Sequence, residues 1–239
     1  MAEEEKTGPT KKWVIDTDCG VDDAQAIMVA LKYLDVVAIT AVAGNVGAEQ
    51  VATNASKVLQ VCKAEVPIYI GAEKPMLNEL ETLPSYHGKD GLGDHPQIKK
   101  MSGFAHCIDR SEKAYQALIR LSKEHGELNI IAIGPQTNIA FALLRDPTFS
   151  KRVGEFRALG GTLNGTGMID YNKERNYHLD PEAAHLVQTH IKKISLITWE
   201  VVHSLKVDHA LHKRMEQLLA KGGRKKRFLR QCHELVCRK

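Results

Sequence analysis

The chain has 239 residues, of which 43% are hydrophobic and 26% charged, and a formal net charge of +4. This length and composition are typical of a globular protein with a sizeable core, and they favour one α/β domain over two. The small net charge does not indicate nucleic-acid binding, and no apolar run approaches the roughly 20 residues needed to cross a bilayer, so neither nucleic acid nor membrane is predicted as a partner.

The first predicted element is a strand at residues 13–15, which leads into an acidic turn and then a helix reaching about Tyr33. The turn carries four carboxylates, namely Asp16, Asp18, Asp22 and Asp23. In an open α/β sheet, ligands bind at this carboxyl edge of the strands. The sequence therefore places a candidate site here.

These carboxylates require a counter-charge if they lie close together. Two of them about 5 Å apart repel by roughly 3 kcal/mol at an effective dielectric of about 20. A helix N-terminus offsets only about 0.3–1 kcal/mol per charge. A divalent cation bound by oxygen ligands is therefore predicted, with calcium or magnesium favoured over zinc. The plainer interpretation is that Asp22 and Asp23 are ordinary N-terminal helix acids and the other two are solvated.

Apolar runs of strand length alternate with helical patterns along most of the remaining chain. Further strands are predicted at residues 36–43, 67–70, 128–133, 156–159 and 194–198. Helices are predicted at 48–62, 111–124 with a serine cap, 139–144, from 181 onward, and 208–219. Three strands end in turns rich in glycine or small polar residues, as in repeated βα units. The predicted fold class is α/β, a mostly parallel central sheet with helices on both faces.

Two segments outside these elements hold candidate ligand contacts. Asn45 follows the second strand at the same sheet edge as the aspartates, where a turn or cap role is as probable as a ligand contact on spacing alone. Residues 72–108 lack a sustained period but include a glycine-rich stretch from His87 to Gly93 that suits a lid. His87 by itself is more typical of a surface histidine.

The domain prediction has three parts. Residues 1–11 are expected to be a disordered leader, 12–221 the α/β domain, and 222–239 a basic tail. A solvated tail is favoured over a nuclear-localisation or anionic-partner patch. Five cysteines without paired spacing suit reduced thiols and predict a cytoplasmic protein.

The sequence resembles the inosine/uridine-preferring nucleoside hydrolases, whose opening signature is Asp-x-Asp-Pro-Gly-x-Asp-Asp. Here that signature stands at residues 16–23, with Cys19 in place of proline. Further matching segments follow in order: Gly44-Asn45, the loop from His87 to Gly93, Gly134 to Ala140, and Gly160-Gly161 leading to Glu174-Arg175-Asn176 and Asp180 to Ala184. The resemblance covers residues 13–199.

The resemblance implies a calcium ion that binds a nucleophilic water and the ribose 2′- and 3′-hydroxyls. Asp18 would be a metal ligand and general base, Asp23 a bidentate ligand, and Ile133 a ligand through its backbone carbonyl. The substrate-binding residues would be Asp22, Asn45, His87, Glu174 and Asn176. Asp16 would support them from behind. Cleavage of an N-glycosidic bond needs an activated water, negative charge near the sugar ring and a clamp on the hydroxyls, which this set would supply.

Three positions depart from the family pattern. Cys19 replaces the loop proline without removing a ligand. Met168 falls near a ribose-contacting asparagine, for which Asn164 could substitute. The family also has a late His-Asp pair that supplies an acid and a metal ligand, whereas the nearest pair here, Asp208-His209, has the reverse order. The chain is therefore interpreted as a C-terminally shortened member.

The predicted function is calcium-dependent hydrolysis of purine and pyrimidine ribonucleosides to ribose and free base, a step of nucleoside catabolism. The resemblance implies a homodimer or homotetramer. One alternative is a catalytically impaired member that binds ribose or nucleoside. The other is a magnesium-dependent phosphohydrolase with an aspartyl nucleophile in the Asp16–Asp18 loop, although the residues after Asp18 fit that class poorly.

Overall fold

The computed structural model describes residues 11–168, 172–205, 213–214, 217 and 222–233. Its centre is a seven-stranded sheet in the order β4-β3-β2-β1-β5-β6-β7, and every neighbouring pair is parallel. The strands are β1 (Lys12–Thr17), β2 (Asp35–Ala41), β3 (Ile68–Ile70), β4 (Ile108–Asp109), β5 (Leu128–Ala132), β6 (Val153–Leu159) and β7 (Ile194–Ile197).

Helices connect the strands and follow the last of them. They are α1 (Val21–Tyr33), α2 (Ala48–Cys62), α3 (Pro84–His87), α4 (Pro96–Lys99), α5 (Ala114–His125), α6 (Thr137–Arg145), α7 (Arg175–Leu179), α8 (Pro181–His190), α9 (Trp199–Ser204) and α10 (Arg224–His233). Short 3₁₀ turns lie at Ala105–Cys107 and Phe149–Arg152.

The sheet is covered on both faces, which explains why its central strands are continuous apolar runs. Alternate residues of β1 serve different cores: Ile15 packs with α1, α2 and α10, whereas Val14 packs with α5, α6 and α8. Both side chains are at most 1% exposed. This arrangement confirms the predicted fold class.

Strand β1 lies at the middle of the sheet, between β2 and β5. Asp16 is in register with Thr40 of β2 and with Ala132 of β5. Because the three strands are parallel, their carboxyl ends open onto the same edge. The turns that follow them bring together segments distant in sequence, and the candidate site is built from these turns.

Most predicted elements are present, with small differences at their ends. The predicted helix 48–62 has the bounds of α2, and the turn after β1 leads into α1 as expected. Strand β4 was not predicted, since two residues are too few to show a period. The predicted serine cap of α5 is wrong. That helix begins at Ala114, and its N-cap is Lys113, whose backbone N–H donates to the Gln116 side chain (2.8 Å).

The basic segment near the end of the chain differs from the sequence prediction. Over residues 224–233 it is helix α10, in contact with α1, α2 and α4. Phe228 and Cys232, one helical turn apart, are 3% and 0% exposed, whereas Arg224 and Arg227 face solvent. Burial of this apolar stripe holds the segment against the domain, so the interpretation as a solvated tail is wrong for these ten residues.

Several predictions fall wholly or mostly outside the described residues. The leader up to residue 10 and the Asp208-His209 pair are not described, and of the helix predicted at 208–219 only residues 213, 214 and 217 are. No described helix is both long and apolar enough to cross a membrane. The four described cysteines, Cys19, Cys62, Cys107 and Cys232, are unbonded thiols.

Candidate active site

The acidic turn after β1 folds so that most of its carboxylates point away from solvent. Asp16, Asp18 and Asp23 are 0%, 2% and 4% exposed, whereas the Asp22 side chain is 67% exposed. Asp22 and Asp23 lie in the first turn of α1, where the unpaired N–H groups favour negative charge. The turn therefore concentrates buried negative charge at the carboxyl edge of the sheet.

A threonine between two of the aspartates fixes the geometry of this turn. The Thr17 hydroxyl donates to Oδ1 of Asp23 (2.7 Å) and accepts from the N–H of Cys19 (2.9 Å). Oδ2 of Asp23 accepts from the N–H of Gly20 (2.9 Å). Cys19 lies in the left-handed region at φ +34°. The Cys19 N–H bond would be impossible with proline at position 19, so the substitution changes how the turn is held.

Asp18 is positioned by the turn that follows β2. Its Oδ2 accepts from the backbone N–H of Asn45 (2.8 Å). This approach depends on the glycine before Asn45, since a Cβ at Gly44 would lie 2.3 Å from Oδ2 of Asp18. The Gly44-Asn45 pair thus serves Asp18 through its backbone and its lack of a side chain.

Burial dominates the ionisation of these carboxylates. It raises the pKa of Asp18 to about 7, with a further increase from Asp22 and opposing effects from the Asn45 N–H and Arg175. It also raises the pKa of Asp23 well above its usual value, and the charges of Asp18 and Asp22 add to the increase. Buried carboxyl groups whose charged forms are disfavoured in this way are the electrostatic condition that a bound cation would relieve.

Asp16 lies beneath the site rather than in it. Oδ2 of Asp16 accepts from the Thr40 hydroxyl (2.5 Å) and from Nδ2 of Asn138 (2.8 Å), while Oδ1 has no partner among the described residues. Burial raises its pKa to about 7, and the hydrogen bonds from Thr40 and Asn138 oppose that increase. Asn138 also donates to the Ala41 carbonyl and accepts from the Ala72 N–H, so it links the ends of β1, β2 and β3.

A further part of the cavity wall comes from Glu174 and the first turn of α7. The Glu174 carboxylate caps this helix, accepting from the N–H groups of Asn176 (2.9 Å), Tyr177 (3.0 Å) and Gly161 (2.9 Å). Burial raises the pKa of Glu174, and these N–H groups oppose the increase. Nδ2 of Asn176 donates to the carbonyls of Ile133 and Leu159 (3.0 Å each). The backbone carbonyl oxygen of Ile133, the predicted metal ligand, therefore already accepts a hydrogen bond from the Asn176 amide.

His87 reaches the site from helix α3. Its Nδ1 accepts from the N–H of Val21 at the start of α1 (3.3 Å), and its Nε2 lies 3.8 Å from Oδ1 of Asp22. Burial lowers the pKa of His87, with Asp22 opposing that effect. The glycine-rich loop after His87 is fastened to the domain: Leu92 is fully buried, and Nδ2 of Asn54 donates to the Asp90 carbonyl (2.8 Å).

These groups surround one cavity of about 290 Å³. The polar part of its wall consists of Asp18, Asp22, Asp23, Asn45, His87, Glu174, Arg175 and Asn176. The apolar part includes Leu83, Tyr86, Leu159, Met168, Trp199 and Val202. Ile133 also lines the cavity. Polar groups beside an apolar, aromatic wall suit a ligand that is a sugar at one end and a planar ring at the other.

Most of the predicted site residues come together here, and two do not line the cavity. Asp16 lies below it, as a supporting role requires. Asn164 is exposed and outside the cavity wall, where its N–H donates to Glu200 (2.9 Å). Asn164 is therefore not among the residues that form the cavity wall, whereas Met168 is, and the substrate-binding role of Asn164 stays a prediction.

Sequence reasoning missed four residues that shape the site. Thr17, Thr40 and Asn138 hold the aspartates, and Arg175 lines the cavity. Thr17 and Arg175 stand between residues that were singled out, so their position in the motifs was an available signal. The pairing of Thr40 with Asp16 follows only from strand register.

The donor set matches a hard cation in type, though not in number of acidic groups. In the described part of the chain, no group of three or more His, Cys, Asp or Glu side chains is placed to hold a metal ion. Asp18 and Asp23 are nevertheless buried carboxyl groups that form no ion pair with a described residue, and the Ile133 carbonyl lines the same cavity. Such oxygen-only donors suit calcium or magnesium.

Comparison with known proteins decides the family. Residues 13–238 match the model of the family described as inosine-uridine preferring nucleoside hydrolase. The chain belongs to this nucleoside hydrolase family. A probable uridine nucleosidase 2 of Arabidopsis thaliana is 36% identical over 209 residues, which cover 83% of this chain and 62% of the relative. The chain thus spans less than two thirds of the length of that curated relative.

Solved nucleoside hydrolase structures share the fold. A plant nucleoside hydrolase, PpNRh1, is 32% identical with a TM-score of 0.84, over 95% of this chain and 71% of that one. An inosine-guanosine nucleoside hydrolase is 30% identical with a TM-score of 0.85, over 95% and 72% of the two chains. The resemblance inferred from the acidic turn is therefore confirmed at the level of family and fold.

Proposed function

We propose that the chain hydrolyses the N-glycosidic bond of purine and pyrimidine ribonucleosides in a calcium-dependent reaction. The observation that carries the proposal is the pair of buried carboxylates, Asp18 and Asp23, in the wall of a cavity that is lined by both polar groups and aromatic side chains. Membership of the nucleoside hydrolase family supports the reaction type. The names of the relatives span uridine, inosine and guanosine, so both base classes are proposed.

Calcium would be held by Asp18, by both oxygens of Asp23 and by the Ile133 carbonyl. When bound, the ion supplies charge neutralisation and makes a coordinated water more acidic. The distribution of hydrogen bonds is compatible with these roles. Asp23 is held by Thr17 and Gly20, which do not line the cavity, and Asp18 is held by a backbone N–H, that of Asn45.

The remaining polar residues would bind ribose and guide the water. Asp22, Asn45 and Asn176 present carboxylate and amide groups to the cavity, and these suit the 2′- and 3′-hydroxyls. Glu174 and His87 would lie toward the 5′ side and the closing loop. Asp18 would accept the proton that the attacking water loses. Negative charge on several sides of the sugar stabilises the positive charge that develops on the ring.

The test is release of free base from inosine and from uridine by the purified chain, followed by chromatography with calcium and with a chelator. Turnover that a chelator stops and calcium restores is expected. Asp23→Asn should lower kcat/KM at least about 100-fold, the upper range for perturbed metal-site partners. Asp109→Asn, a half-buried residue of the edge strand β4 that does not line the cavity, is the matched control and should retain activity. A folded chain that releases no base in saturating calcium would contradict the proposal.

A second candidate is a nucleoside- or ribose-binding protein without turnover. It is favoured by one observation, the lack of a third acidic side chain beside Asp18 and Asp23 that could hold a metal among the described residues. Calorimetry showing calcium-dependent ribose binding, together with no base release, would support it. The magnesium phosphohydrolase alternative is disfavoured, because Asp16 is fully buried and outside the cavity wall, where it could not attack a phosphate.

We also propose that the protein acts in the cytoplasm as a homodimer or homotetramer. The unbonded thiols of the four described cysteines are compatible with a reducing compartment. Light scattering of the purified chain tests the assembly, and a monomer at micromolar concentration would contradict it.

A further inference from the structure

A buried arginine lines the same cavity as the carboxylates. Arg175 is 7% exposed, begins helix α7 and lines the cavity beside Glu174 and Asn176. A buried guanidinium is unfavourable unless a partner neutralises it or accepts its hydrogen bonds. The hydrogen bonds that the Arg175 guanidinium makes, and those it lacks, therefore indicate what kind of ligand it binds.

The guanidinium has unused hydrogen-bonding capacity. One of its terminal nitrogens donates to the backbone carbonyl of Glu81, while its Nε is buried and has no partner among the described residues. It forms no ion pair with a described carboxylate, although the charges of Asp18, Glu81 and Glu174 act on it. A buried, charged donor in a cavity wall is suited to an acceptor that arrives with the ligand.

Arg175 interacts with Asp18 and with the segment just before the apolar residues of the cavity wall. Its contact at Glu81 is in the segment that leads to Leu83 and Tyr86 of the apolar wall. Its charge also acts on Asp18 in the polar wall, lowering the pKa of that carboxylate. The guanidinium therefore interacts both with a polar residue of the wall and with the segment before its apolar residues, the two kinds of group that ribose hydroxyls and a planar base would contact.

We propose that Arg175 is a catalytic residue that binds the departing nucleobase as an anion. This inference rests on the proposed function. The C1′–N bond breaks heterolytically and leaves its electron pair on the base nitrogen, while water adds its oxygen to C1′ and gives a proton to Asp18. The guanidinium donates a hydrogen bond to the base anion and keeps its own proton. Solvent then protonates the base and receives the proton from Asp18.

A guanidinium would oppose the positive charge on the ribose ring if it lay closer to the sugar than to the base. Stabilisation by the guanidinium should therefore matter for leaving groups that are poor anions without assistance. Substrates with an intrinsically good leaving group should not need it. This dependence separates stabilisation of the base from a structural role, which would affect every substrate alike.

The experiment compares uridine with p-nitrophenyl β-D-riboside, whose p-nitrophenolate leaves without assistance. Arg175→Met should lower kcat for uridine about 10²-fold, the effect of removing one donor from a developing anion, and change the p-nitrophenyl riboside rate much less. Arg175→Lys, which keeps the charge, should recover part of the uridine rate. Arg110→Met, an exposed arginine paired with Glu49, is the matched control and should retain both activities.

Equal losses on both substrates, or a loss confined to KM, would overturn the assignment. Faster hydrolysis of uridine 5′-monophosphate than of uridine, abolished by Arg175→Met, would also overturn it by assigning the guanidinium to a phosphate. Circular dichroism and thermal unfolding establish that each variant is folded, and Arg175→Gln replaces the methionine variant if that one is not. If the unaltered chain cleaves neither substrate, it is the proposed function that fails.

Discussion

The stability of the acidic turn should depend on the hydroxyl of Thr17. This residue is fully buried, donates to Asp23 and accepts from the Cys19 N–H. Valine has nearly the same shape but neither capacity. Thr17→Val loses a bond to a charged acceptor, worth about 1.5–3 kcal/mol, and leaves a buried N–H without this acceptor, at a cost of about 1–3 kcal/mol.

The two contributions together predict a loss of about 2.5–6 kcal/mol in the free energy of unfolding. For a domain of this size that corresponds to a fall in Tm of about 5–24 °C. Thr17→Ser is the matched control, because it keeps the hydroxyl and removes one methyl group, at a cost of about 1 kcal/mol. Urea unfolding followed by circular dichroism gives the free energies, and calorimetry gives calcium affinity.

Calcium affinity should fall with Thr17→Val and be retained with Thr17→Ser, because only the serine variant keeps a hydroxyl that donates to Asp23. A valine variant as stable as the serine variant and equal to it in calcium binding would refute the reasoning. In that case the turn would be held by its remaining backbone bonds.

Two further substitutions test other parts of the account. Gly44→Ala should displace Asp18, since the added Cβ would lie 2.3 Å from its carboxylate, and should reduce turnover by at least about tenfold. Gly47→Ala is the matched control and should leave turnover unchanged, because a Cβ there meets nothing within 4 Å. Equal rates for the two variants would contradict the predicted geometry. Phe228→Ala should lower the free energy of unfolding by about 3–5 kcal/mol in urea unfolding, whereas exposed Arg227→Ala should change it little. An unaffected Phe228 variant would show that α10 contributes nothing to the fold.

The sequence was informative where the signal is local. An apolar run followed by an acidic turn and a helical pattern predicts β1 and α1, and such patterns also gave the parallel sheet. Helix α10 was missed because five basic residues outweigh its apolar ones, although Phe228 and Cys232 stand one turn apart. That spacing marks a buried stripe once the charged face is treated separately.

The parts that sequence could not give depend on contacts between distant segments. Asp16 meets Thr40 and Asn138 only because three strands end side by side. Asn164 was proposed from its place near Met168 in the sequence, and the structure puts it outside the cavity wall. The orientation of Arg175 into the cavity wall follows from how α7 meets the sheet edge, which no periodicity in its own short segment reveals.

The central claim is that a calcium ion lies between Asp18 and Asp23 and binds the sugar. A crystal structure of the full chain grown with calcium and ribose tests it most directly. We expect an ion about 2.3–2.6 Å from oxygens of both carboxylates and of the Ile133 carbonyl, with ribose hydroxyls also bound to it. Ribose in the cavity with no ion near these carboxylates, or calcium bound only elsewhere, would contradict the account.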